Sequence, residues 1–419
     1  MPLTCPMNRR ATDLLRIIAV CCIVFNHTVW RLYSQIGTAA QTDFAFWLGV
    51  FNQAGKASVL FFLFLSGLAF GGHPMNADFR ARDFYRNRVL RILPPYLLAC
   101  LLAYGLNLYK AGQSFAGLMH FDGLTFAAGL LTGAFMPHLY FVALLVYLYI
   151  VFPVLRRISF SPRRAVLLAV PWLSVYCLAL TVRSGPVLCI NQLIDVLENL
   201  FGEAGGTIQY SHAILHRFLE SSAILRGWCN SFWPHTFLWL HYFTFGLCFF
   251  QYGIWAGHRT LRARAESGSG LAEKSSNSSF SVRALILLVL IPISTIGIWL
   301  DFYSASQAGI SADHAGRIWR LSVAVNALIW IGWLLHFPIV GHGSKALRVL
   351  TRVSFSVYLF HMFILEASYG LGMSVRIPVV MISAWVLALI LYGLTRLHPV
   401  FALLFGEGDH LSSARSSAS

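Results

Sequence analysis

The sequence predicts an all-α fold, a polytopic integral membrane helix bundle of about ten transmembrane helices with both termini in the cytoplasm. Three observations predict it. Of 419 residues, 57% are hydrophobic and only 11% charged, whereas a soluble domain carries roughly 25% charged residues. Apolar runs of about 20 residues recur along the chain, the length that crosses a hydrocarbon core at 1.5 Å rise per residue. Lys and Arg gather between those runs, on alternate sides. A formal net charge of +15 would suggest nucleic acid in a soluble protein. Here the cations sit in short loops, so no nucleic-acid partner is expected. Such a surface suits membrane lipid and an anionic substrate.

The first run covers residues 14–33. It contains Arg16 and lacks a small-residue cleavage site after it, so it reads as a retained span and not a signal peptide. The second, 57–72, is short and extends backwards through Phe44–Val50 or tilts. The third is 89–109. Phe121–Phe135 is apolar and Gly-rich and reads as re-entrant or interfacial, with an eleventh span as the alternative. Spans follow at 138–155 and 165–183. The long outer loop 184–235 holds HAILHRFLESSAILRGW, an amphipathic interfacial helix by pattern, and Cys189 and Cys229, which pair if that side is oxidising. The remaining spans are 236–256, 283–301, 319–340, 353–371 and 377–396. A Ser/Gly linker occupies 265–281. Residues 1–400 form one transmembrane domain, and 401–419, ending in LSSARSSAS, a disordered cytoplasmic tail.

With the N-terminus inside, 21 Lys and Arg fall on the cytoplasmic side and nine on the other. That asymmetry orients the bundle and favours an even number of spans. Eight cysteines are present, but no CxxC or His/Cys spacing suggests a metal site, so no metal is expected.

Four constellations can carry chemistry. Arg16 and His27 are eleven residues apart. Eleven steps of 100° return to within about 20° of the start, so both project from one helix face, roughly 16 Å apart along the axis. Ionisable groups inside a membrane are functional by default; the alternative is that Arg16 snorkels and His27 bonds a neighbouring helix. The second is Ser354, Tyr358 and His361 on one helical face, followed by Glu366. Helix rise places Glu366 near the depth of His27, where a carboxylate would orient an imidazole base. A polar patch that only pins helices together is the other reading. The third is the run from Asp83 to Tyr96, in which Arg86, Arg88 and Arg91 lead into span three. Guanidinium forks suit phosphate oxygens, and they also serve as positive-inside anchors. The fourth is Phe61 to Gly67, an aromatic run ending in the small pair Ser66-Gly67, which suits close helix packing.

In this order the pieces resemble the acyltransferase-3 family of membrane acyltransferases, in its stand-alone form. Asp13, Arg16 and His27 match the Asp, Arg and His of its first span. Phe61, Phe62, Ser66 and Gly67 match its aromatic run, with one extra intervening residue. Phe84, Arg88, Arg91, Ile92, Pro94 and Tyr96 match its Arg-rich stretch, with Asn87 in place of the first Arg of a pair. His138 to Val142 matches a later element, with Tyr140 for Trp, and Ser354 to His361 matches the last.

The resemblance implies transfer of an acyl group, usually acetyl from acetyl-CoA, to a hydroxyl of a carbohydrate or lipid-linked glycan. It implies His27 as general base, with His361 and Arg16 in the same catalytic set, to which the residue pattern itself adds Glu366. Arg86, Arg88, Arg91 and Tyr96 would hold CoA on the cytoplasmic side. Ser66, Tyr140 and Tyr358 are acceptor or oxyanion candidates. The expected location is the membrane, the inner membrane for a bacterial chain. The competing class is a transporter or flippase of acyl groups or glycans, since intramembrane His, Arg and Glu also suit proton coupling. A third is a sensor that binds a sugar or lipid without turnover.

Overall fold

The computed structural model describes residues 9–36, 43–71, 81–110, 123–158, 243, 246–260, 282–307, 320–336 and 345–405. Among these every regular element is a helix: α1 Arg9–Ile36, α2 Asp43–Ala54, α3 Ser58–Gly71, α4 Ala81–Lys110, α5 Gly123–Thr132 and α6 Tyr140–Ile158. The chain continues with α7 at 246–260. After it come α8 Val282–Gln307, α9 Leu321–His336, α10 Lys345–Ala367, α11 Met373–Thr395 and α12 Pro399–Leu404.

Six stretches of 20 to 27 residues are long and apolar enough to cross a membrane: Ala11–Trp30, Trp47–Gly71, Phe84–Lys110, Ala284–Ser304, Lys345–Ala367 and Ser374–Thr395. Tyr140–Leu155 and Leu321–Leu335 are shorter apolar helices. The predicted span at 165–183, the loop 184–235 with Cys189 and Cys229, the linker 265–281 and the tail beyond residue 405 lie outside the described residues.

The second span does extend backwards. It runs through α2, a 3-10 turn at Gly55–Ala57 and α3. That turn carries Lys56 into the bundle, where it is 8% exposed with its ammonium 4.8 Å from the centre of the Trp30 ring. The cation–π contact offsets part of the cost of burying the charge. Arg376 is likewise buried and donates to the Leu365 carbonyl near the end of α10.

α3 is deeply buried, with eleven of its fourteen residues inside the bundle. It meets α7 backbone to backbone. A Cβ on Gly67 would lie 1.9 Å from the Phe250 carbonyl oxygen, and one on Gly253 would lie 2.1 Å from that of Phe64. Only glycine permits such an approach. This is the packing use foreseen for the Ser66-Gly67 pair.

α5 has ten residues and rises about 15 Å, half a hydrocarbon core. It ends at Gly133, whose φ of +68° is left-handed and suits glycine alone at little cost. A Cβ there would meet the Tyr140 nitrogen at 2.4 Å. The hydroxyls of Tyr96 on α4 and Tyr147 on α6 donate to the Leu130 and Leu131 carbonyls at 2.7 and 2.9 Å. The Gly133 turn and these two bonds deliver His138 to the centre of the bundle, just before α6.

Candidate functional site

Three histidines meet inside the bundle. His27 comes from α1, His138 from the turn before α6 and His361 from α10. Their ring centroids are 5.3 Å apart for His27 and His361, 6.3 Å for His27 and His138, and 4.8 Å for His138 and His361. His138 and His361 are fully buried, whereas His27 is half-buried and so the most accessible of the three.

The cluster is braced by main-chain hydrogen bonds. The Tyr358 hydroxyl donates to the carbonyl of His138. His138 Nε2 lies 3.0 Å from the carbonyl oxygen of Leu359, and His361 Nδ1 lies 2.7 Å from that of Tyr358. One turn of α10 thus holds both rings. Next to His27 in sequence, the buried Asn26 accepts at its main-chain oxygen from Asn52 Nδ2 on α2, at 3.1 Å. Asn52 accepts from Gln53, and Gln53 from Arg320, whose guanidinium is ion-paired with Asp301 at 3.0 Å. This chain ties the His27 end of α1 to α2, to α8 and to the residue that precedes α9.

Lys56 is within Coulombic range of His27. Neither Lys56 nor His138 was among the chemically singled-out residues of the sequence. His138 stands out in the sequence only through its match to a family element, and nothing in spacing shows that a residue before α6 faces one on α1. Lys56 was hidden because a single cation between apolar runs reads as a loop.

Glu366 is placed differently from the expectation. The group at the depth of His27 is the His361 imidazole, and Glu366 lies further along α10, ion-paired with Lys110 at the end of α4. The span on α10 begins at Lys345, eight residues before the predicted 353, so His361 and not Glu366 stands as far from its start as His27 does from Ala11. Glu366 and Lys110 border an apolar groove of about 830 Å³ lined by Leu98, Leu102, Leu106, Phe360 and Phe363. Tyr96 is buried and spends its hydroxyl hydrogen on Leu130, a brace between α4 and α5 and not an open polar group. The Tyr358 hydrogen is likewise committed to His138. Ser66 is half-buried on α3, and Tyr140 is half-buried as the first residue of α6.

The arginines form the second part of the site. Half-buried Arg16 has Arg91, Asp13 and Tyr149 within Coulombic range. The Arg88 guanidinium lies 4.6 Å from the Phe70 ring centre and 5.8 Å from that of Phe84. Phe70 also packs on Tyr149 at 4.9 Å. Arg16, Arg88 and Arg91 thus gather from α1 and α4 around one aromatic cluster, while Arg86 is exposed. Arg91 repels Arg16 and Asp13 attracts it, so the cluster carries a net positive charge. Along α1 this basic cluster and His27 are separated by roughly 16 Å. Among the described residues no group of His, Cys, Asp and Glu could hold a metal ion.

Comparison with known families places this geometry. The acyltransferase-domain model of the acyltransferase-3 family (Acyl_transf_3) matches residues 9–397, nearly the whole chain. The chain belongs to that family and is a membrane-embedded acyltransferase. No curated protein matches it, and no solved structure does.

Proposed function

We propose that this acyltransferase transfers an acyl group, acetyl by preference, from acyl-CoA to a hydroxyl of a carbohydrate or lipid-linked glycan. The observation that carries the reading is the pairing along α1 of a basic cluster around Arg16 with a half-buried imidazole at His27. CoA is polyanionic at its nucleotide end and neutral along its pantetheine arm. Arg16, Arg88 and Arg91 suit the phosphates, and the arm would run along the bundle toward His27. The hydroxyl of the acceptor attacks the thioester carbonyl while His27 takes its proton. The tetrahedral intermediate carries an oxyanion, which needs a donor or a cation. The Tyr358 and His361 hydrogens are spent on carbonyls, so the group suited to this role is Lys56, the buried cation within range of His27. When the carbon–sulfur bond breaks, His27 returns the proton to the thiolate. The experiment is direct. Purified protein in detergent, given acetyl-CoA and extracted surface glycan, releases free thiol and acetylated glycan. Saturable glycan binding with no thiol release would overturn the proposal in favour of a transporter or sensor.

A further inference from the structure

Two buried nitrogens beside His27 are acceptors that nothing fills. A carbonyl oxygen can only accept, so the hydrogen between His361 and the Tyr358 carbonyl sits on His361 Nδ1. The neutral ring then carries its lone pair on Nε2, a buried atom with no hydrogen-bond partner. By the same reasoning His138 donates from Nε2 to the Leu359 carbonyl, and its bare Nδ1 is also buried and unpartnered. Each imidazole is thus held in one tautomer by the main chain of α10, with an acceptor left over. A buried acceptor without a donor costs about 1–3 kcal/mol, which implies a donor that engages it in the working protein.

His27 is placed to be that donor. Its ring lies 5.3 Å from His361, centre to centre, and rings at that spacing bring nitrogens into hydrogen-bond range when turned edge to edge. An imidazole that donates from one nitrogen presents a lone pair at the other. In the Ser-His-Asp arrangement a carboxylate accepts from the far nitrogen of the base and so fixes its tautomer. Here the carboxylate of α10, Glu366, is paired with Lys110 instead.

We propose that His361 takes the carboxylate's place: its Nε2 accepts the N–H of His27, fixes the His27 tautomer and leaves the lone pair of His27 facing the acceptor hydroxyl, with His138 bracing the same turn of α10. The proposal rests on the reading of His27 as general base. The proton account closes. The acceptor O–H bond breaks, its proton goes to the free nitrogen of His27, and the far N–H stays on His27, bonded to His361. The proton then leaves with the CoA sulfur, and His361 ends as it began. His361 is therefore a positioning residue.

The test compares His361→Phe, which keeps ring volume and removes the acceptor, with His361→Gln, whose amide oxygen can accept near the Nε2 position. His361→Phe lowers kcat about 10²-fold or more with KM for acetyl-CoA unchanged, and His361→Gln recovers at least about tenfold of the loss. In ¹⁵N-histidine-labelled wild type, the His27 signals, assigned by their loss in His27→Gln, show one pyrrole-like and one pyridine-like nitrogen. In His361→Phe they average toward a tautomer mixture. Wild-type kcat in His361→Phe overturns the proposal, and so does a Gln variant no better than Phe. Where His361→Phe fails to fold, a tautomer mixture at His27 in the wild type overturns it, and a single tautomer supports it. Full turnover by His27→Gln would instead remove the base itself, while an inactive His27→Gln beside a fully active His361→Phe would sink the positioning role alone.

Discussion

The Tyr358 hydroxyl donates to the main-chain carbonyl of His138, joining positions 220 residues apart in sequence at the middle of the bundle. That bond holds the turn carrying His138 against α10. Tyr358 is 4% exposed, so no water replaces a lost donor readily. Tyr358→Phe keeps the ring contacts with Phe62 and Phe141 and removes only the hydroxyl. The expected cost is about 1–2 kcal/mol of stability, read as a lowered thermal midpoint in detergent. An unchanged midpoint would show that the bond is made equally well by another donor.

Gly67→Ala tests the contact between α3 and α7. The new Cβ would stand 1.9 Å from the Phe250 carbonyl oxygen, a main-chain atom that cannot swing aside. Separating the helices is expected to cost about 1–3 kcal/mol. Gly105 on α4 has nothing within 4 Å of its Cβ position, so Gly105→Ala is expected to be neutral or stabilising by about 0.5–1 kcal/mol. Thermal midpoints in the same detergent check both, and equal midpoints would refute the close-approach account.

The helices were legible because lipid imposes a simple demand: a long apolar run with its backbone satisfied internally. That rule found the cores of α1, α4, α8, α10 and α11 but not all of their ends, since α4 and α10 each start eight residues before the predicted 89 and 353. It could not place Lys56 or Arg376, because both are buried by partners from other helices, the Trp30 ring and the Leu365 carbonyl. The site was legible one helix at a time. Periodicity put Arg16 and His27 on one face, and Tyr358 and His361 on another. Which faces meet depends on helix packing, and Glu366 was expected where His361 stands because the α10 span begins eight residues earlier than its apolar run. His138 was illegible for a third reason: its position depends on the left-handed turn at Gly133, outside any helical period.

Both termini and the segments near Arg86, Arg163, Ser269 and Lys345 are expected to face the cytoplasm, from the excess of Lys and Arg there. An impermeant thiol reagent added to intact cells should fail to label a cysteine placed at Ser269 in a variant lacking the native cysteines. Labelling without cell lysis would reverse the orientation and move the proposed CoA site to the opposite face.

Arg91→Ala and Arg88→Ala separate phosphate binding from anchoring. Arg91 is close enough to Arg16 to repel it, and Arg88 lies over Phe70. Loss of a charge-assisted contact to phosphate is expected to weaken acyl-CoA binding by about 1.5–3 kcal/mol, with acceptor binding unchanged. The wild-type affinity is expected to fall as salt rises, and the slope to be shallower in either variant. Titration of acetyl-CoA by calorimetry at two salt concentrations reads both effects. Wild-type affinity in both folded variants would return these arginines to the role of membrane anchors.

His27 is the residue on which the chemistry turns. Unlike His138 and His361 it keeps partial exposure, and it sits on the Arg16 face of α1. Its proposed partner is the acceptor hydroxyl, so CoA recognition at the arginines should not depend on it. His27→Ala is expected to lower kcat by about 10²–10⁴-fold while acetyl-CoA affinity stays within experimental error. That pattern marks an interaction made only in the transition state. His27→Gln keeps a hydrogen-bonding side chain of similar reach but cannot accept a proton at neutral pH, so it is expected to be almost as slow as Ala. A purely structural His27 would give the opposite ranking, with Gln restoring activity through its hydrogen bonds and Ala losing stability. Thiol release in a purified assay, measured beside thermal midpoints for both variants, decides between the two. Wild-type turnover by His27→Gln would make His27 a packing histidine and leave His361 as the remaining candidate for the base.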